Sequence, residues 1–130
     1  MKQFYLKLLE GKKIQQCWWE FVPLDTDGSD EILLEYMNIG EFCLEIGNSF
    51  TIEGTEYLEN TEGLTIEKTE ETKDDIIIHI TTGIKVKIDM RIGSYKAITL
   101  RLYGPDNFFV LWNMKYAIQW PENEQYLNSF

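Results

Sequence analysis

Between Ile76 and Met90 the chain alternates apolar and polar side chains in two runs that meet at a glycine. Ile76, Ile78 and Ile80 form the first apolar set, and Ile84, Val86, Ile88 and Met90 form the second. A period of two places each set on one face of a strand, so the stretch predicts a β-hairpin. A loop of Thr81, Thr82 and Gly83, with Gly83 in the left-handed conformation that β-branched residues resist, pairs Ile80 with Ile84, Ile78 with Val86 and Ile76 with Ile88. A two-residue loop would instead set Ile78 against Lys87 and mix the faces. Burying those six side chains is worth on the order of ten kcal/mol before ordering costs, enough to seed a sheet that needs further strands to stand.

The same pattern predicts the other elements. Phe4 to Leu9 alternates as a first strand, Glu10-Gly11-Lys12 turns, and Ile14 to Val22 returns as its partner. That second strand is apolar on both faces, with Trp19 and Phe21 on one and Trp18 and Val22 on the other, so one of the adjacent tryptophans is core and its neighbour lies under another sheet or on a partner-facing surface. Pro23 ends it, and residues 25 to 31 form an acidic loop. Residues 32 to 46 fit either a short helix capped by Ser29 or a hairpin. The hairpin is favoured, because a loop of Asn38, Ile39 and Gly40 pairs Tyr36 with Phe42, Leu34 with Leu44 and Ile32 with Ile46.

Phe50 to Glu53, Thr55 to Leu58 and Leu64 to Thr69 read as short strands, and Glu70 to Asp74 is a charged tip leading into the central hairpin. Lys96 to Tyr103 is a further strand, Gly104-Pro105-Asp106-Asn107 a turn, and Phe108 to Trp112 a buried central strand. Met114 to Trp120 adds another, and Pro121 opens one terminal helical turn. About ten short strands in a chain of 130 residues predict a single all-β domain, 1–130, an antiparallel sandwich or a partly closed barrel, with both architectures left open.

Charge changes the picture more than composition does. The formal net charge is −10, which opposes general affinity for nucleic acid or an anionic membrane. From Ile14 to Glu67 there is no Lys or Arg but there are 13 acidic residues, whereas the remainder holds 12 basic and 22 − 13 = 9 acidic ones. The amino terminus has no apolar run of signal-peptide length and no stretch is apolar enough to span a bilayer, so a cytoplasmic location with Cys17 and Cys43 as thiols is expected.

Little in the chain suggests catalysis. His79, the single histidine, falls opposite the core isoleucines near Lys85 and reads as a polar surface residue. No metal-ligand spacing or phosphate-cradling glycine motif occurs, and no cofactor is expected. Asp25, Asp27, Gly28 and Glu31 resemble a calcium loop only in part, since Gly28 stands fourth rather than sixth and Tyr36 stands where a bidentate Glu is required. A solvated loop is the simpler reading. Trp18, Trp19, Trp112 and Trp120 either fill a core or line a ligand cavity, and the core is preferred.

An acidic all-β chain of this length without a catalytic motif, with aromatics beside carboxylates in the base-free Cys17-Trp18-Trp19-Glu20-Phe21 and Gly40 to Gly47 segments, resembles the immunity proteins that bacteria pair with secreted or contact-delivered toxins. The resemblance implies a non-enzymatic role as an antitoxin covering the active site of a cationic, often nuclease, toxin domain. The partner-binding residues expected are Glu35, Glu41 and Glu45 with Leu33 and Met37 on one face of the second hairpin, together with Trp18, Glu20, Asp25, Asp27 and Asp30. A carrier of small hydrophobic ligands in a β-barrel is the alternative, and acidity serving solubility alone competes with both.

Overall fold

The computed structural model describes residues 5–23, 31–47, 49–90, 99–113 and 116–120. Their strands are β1 (Ile14–Pro23), β2 (Glu31–Ile39), β3 (Phe42–Ile46), β4 (Phe50–Glu53), β5 (Ile66–Glu71), β6 (Asp75–Ile80), β7 (Ile84–Asp89), β8 (Thr99–Tyr103), β9 (Phe109–Asn113) and β10 (Tyr116–Trp120). They form a six-stranded sheet in the order β1-β2-β3-β8-β9-β10 and a four-stranded sheet in the order β4-β7-β6-β5. Every pairing is antiparallel, and the sheets form a sandwich-like all-β fold without closing into a barrel.

The β6–β7 hairpin has the register its pattern predicts: Ile76 pairs with Ile88, Ile78 with Val86 and Ile80 with Ile84. All six side chains are buried in one core shared with Met37, Leu44, Leu100, Leu102 and Trp112 of the other sheet. Gly83 has φ 81°, as the turn requires, and Thr82 before it also has φ 71°.

Three expectations are corrected. Tyr5–Leu9 is a 3₁₀ helix, and β1 pairs with β2. Tyr5, Leu6 and Leu9 are buried while Lys7 and Leu8 are exposed, a grouping along one side of a turn of helix that a strand could not bury together. Thr55 to Leu58 is not a strand, and a 3₁₀ helix at Leu58–Thr61 packs Leu58 and Thr61 inward. The hairpin at 32 to 46 exists, but its turn is Gly40-Glu41, with Gly40 at φ 57°. Ile39 pairs with Phe42, Met37 with Leu44 and Glu35 with Ile46, so Ile39 leaves the loop for the core and Leu34 lies on the opposite face from Leu44. An odd shift in register exchanges the faces of the hairpin.

Two register irregularities bring the sheets together at one corner. Between Ile14 and Gln16, and again between Ile66 and Lys68, an extra residue turns Ile14 with Cys17 and Ile66 with Thr69 inward. There the Ile14 amide donates to Leu64 O at 2.8 Å and the Ile66 amide to Lys12 O at 2.9 Å, stitching the start of β1 to the start of β5. Further along β1 and β2, Trp19, Phe21 and Leu33 continue the inward-facing rows but are exposed, so the ribbon projects past the packed core among the described residues.

Candidate functional site

Beside this projecting ribbon lies a cleft of ≈ 640 Å³ between the sheets. One wall carries Trp19 and Phe21 of β1 beside Glu35 and Leu33 of β2, and the pairing sets Trp19 opposite Glu35 and Phe21 opposite Leu33. These continue the alternation that buries Cys17 and Met37 further along the same strands, but Trp19, Phe21 and Leu33 are exposed. The other wall is Phe50 and Ile52 of β4 with the segment from Thr55 to Glu59. A smaller hollow of ≈ 320 Å³ shares Leu33, Glu35 and Phe50 and extends the cleft towards Ile46.

Its lining exposes three aromatic rings. Trp19 is 54% exposed, Phe21 59% and Tyr57 63%, and the Trp19 and Phe21 rings meet edge to face at 5.5 Å and 77°. Among them sits Glu35, whose Oε2 is shielded from water and has no hydrogen-bond partner among the described residues. Burial, reinforced by the nearby Glu59, pushes its carboxyl above the usual carboxylate range. Glu56 and Glu59 add exposed carboxylates to the lining. No Lys or Arg lines the cleft among the described residues.

The residues expected to bind a partner do not gather on one face. Glu35 and Leu33 are in the cleft, but Met37 is fully buried in the core. Glu45, with 5% of its surface exposed, lies on the outer face of the six-stranded sheet, its Oε2 3.4 Å from Arg101 Nη1. It faces the Tyr36 hydroxyl, which burial and this carboxylate together push up to about 12. Glu41 occupies the hairpin turn and pairs with Lys12 at 3.0 Å. The slipped register is the reason: it sends Glu45 to the face opposite Glu35 and Met37 inward. Trp18 and Glu20 lie on the outer side of β1, Trp18 stacked on Tyr36 at 5.0 Å and 9°. Neither tryptophan of the adjacent pair is core, since Trp18 is half-buried and Trp19 exposed. Asp25, Asp27 and Asp30, and with them the calcium-like loop, lie outside the described residues, as does the terminal turn at Pro121.

Of the remaining chemistry, His79 pairs with Glu70 at 2.8 Å on the outer side of β6, opposite Lys85. Cys17 and Cys43 are free, and desolvation pushes the Cys17 thiol up to about 11. Trp112 is a core residue, 2% exposed. Among the described residues no cluster of three or more His, Cys, Asp or Glu could hold a metal, and no helix is long and apolar enough to cross a membrane. The residues missed from the sequence are Trp19 and Phe21, since Trp18 and Glu20 on the other face of β1 were expected instead, and Phe50, Ile52, Glu56, Tyr57 and Glu59, whose approach to β1 is a tertiary event. The one available signal was charge, because all the described lining falls between Trp19 and Glu59, inside the base-free stretch.

No family model, curated protein or solved structure matches the chain. Its functional reading therefore rests on its own residues.

Proposed function

We propose that this chain is a non-enzymatic binding protein that docks a basic protein partner in the cleft between its sheets, and that the partner is a cationic toxin domain neutralised by being covered. The observation that supports the reading is the coincidence of charge and exposure: the stretch without Lys or Arg builds a cleft whose exposed aromatics sit among carboxylates. Exposed Trp, Tyr and Phe supply the anchoring area of protein interfaces, and unpaired carboxylates select a positively charged counterpart. Solubility alone would call for scattered charge and gives no reason to expose three aromatic rings together.

The experiment places a photo-crosslinking amino acid at Tyr57, inside the cleft, and at Lys85, on the outer face of the four-stranded sheet, in the source cells. A basic protein captured from Tyr57 and absent from Lys85 supports the reading. Equal capture from both, or none from Tyr57, opposes it.

A cleft of ≈ 640 Å³ also falls within the range of small-ligand sites, which favours a small hydrophobic ligand as a second reading. The open sandwich lacks the enclosed barrel that such carriers use, and Glu35 would be left facing an apolar guest. Saturable binding of a fatty acid with micromolar affinity would raise this reading above the first.

A further inference from the structure

We propose that the cleft recognises an arginine side chain of the partner, its guanidinium stacked on the Trp19 ring and hydrogen-bonded to the Glu35 carboxylate; this rests on the binding reading above. Glu35 is the group in the cleft that most needs a cation. One of its oxygens has no donor among the described residues, and a carboxylate in that position costs free energy until an opposite charge arrives. The terminal torsion of Glu is soft, so rotation about it lets the shielded oxygen turn toward the cleft that the side chain already lines.

Trp19 stands directly across the strand pair from Glu35. Exposed indole beside carboxylate is a surface for a flat, weakly hydrated cation. A guanidinium lies against the ring and forms paired hydrogen bonds with the carboxylate in one pose, which a compact, strongly hydrated ammonium does less well. The fold already holds a cation by the same two contacts elsewhere: Lys12 Nζ lies 5.8 Å from the Phe42 ring centroid and 3.0 Å from Glu41 Oε1. In the cleft the aromatic and the carboxylate are present and no Lys or Arg of the described chain fills the place.

The test titrates an acetylated, amidated tri-arginine peptide into ¹⁵N-labelled protein and follows the tryptophan indole resonances, with Trp19 assigned through Trp19→Phe. Tri-lysine and tri-citrulline peptides with the same end groups serve as controls. The expected result is a saturable shift of the Trp19 indole with tri-arginine, weaker binding of tri-lysine, no binding of tri-citrulline in the same range, and about ten-fold weaker tri-arginine binding to Glu35→Gln. Equal affinity for arginine and lysine, unchanged affinity in Glu35→Gln, or shifts confined to other tryptophans would overturn the inference. Those failures leave a basic partner crosslinked at Tyr57 standing, whereas loss of that crosslink removes the reading beneath both.

Discussion

Trp19 and Glu35 are direct cross-strand partners on β1 and β2, and both line the cleft between the sheets. Glu35 Oε2 is shielded from water and has no hydrogen-bond partner among the described residues, so the charged carboxylate is a poor choice for the isolated fold. It becomes a good one when a cation enters.

Glu35→Gln should stabilise the free protein at neutral pH, by about 1 kcal/mol, the scale of a buried polar group left unpaired. The sign follows from linkage: a carboxyl whose folded pKa lies above its unfolded value contributes stability below the unfolded pKa, and that contribution is lost as pH rises through the folded pKa. The gain from Gln should therefore be present at pH 7 and vanish once Glu35 is protonated in acid. Denaturant melts of both proteins across that range check it.

Arg101→Ala should destabilise the fold by roughly 2 kcal/mol, because it leaves Glu45 nearly buried beside Tyr36 without its cation. The loss is smaller than for a fully enclosed pair, since the Arg101 side chain is 39% exposed. Adding Glu45→Gln should recover part of it, a coupling that a double-mutant cycle measures. Charge reversal at Glu45 is likewise predicted to lower the melting temperature, unlike reversal at a solvated carboxylate.

At the β6–β7 turn, Thr82 holds φ 71°, a conformation that costs a β-branched residue about 1 kcal/mol or more. Thr82→Asn should raise stability by about that amount, since Asn tolerates the left-handed region. Gly83→Val should lower it by about 1 kcal/mol or more. A Cβ at Gly83 meets nothing within 4 Å, so that loss is conformational rather than steric crowding. Thermal melts of the two variants should move in opposite directions.

These residues also show what could be read from the chain. The β6–β7 hairpin was legible because six alternating apolar positions and one glycine admit a single register that keeps its faces apart. The β2–β3 hairpin was legible as a hairpin, but Leu33 and Leu34 put apolar groups on both faces and weaken register selection, and Ile39 beside Gly40 imitates a loop residue although the core takes it. Tyr5 to Leu9 is too short for its period to separate strand from 3₁₀ helix. The cleft had no local pattern at all, because its lining comes from segments that lie apart in the chain, β1, β2, β4 and residues 55 to 59. Only the absence of Lys and Arg between Ile14 and Glu67 foreshadowed where it would lie.

The most direct measurement of the central claim is the association rate of the captured partner at low and high salt, with wild type and with Glu35, Glu56 and Glu59 replaced together by Gln. The wild-type rate at low salt should exceed the roughly 10⁵ to 10⁶ M⁻¹s⁻¹ of neutral surfaces and fall as salt screens the field. The triple variant should associate more slowly and with less dependence on salt. Equal rates and equal salt dependence for the two proteins would contradict docking at the cleft.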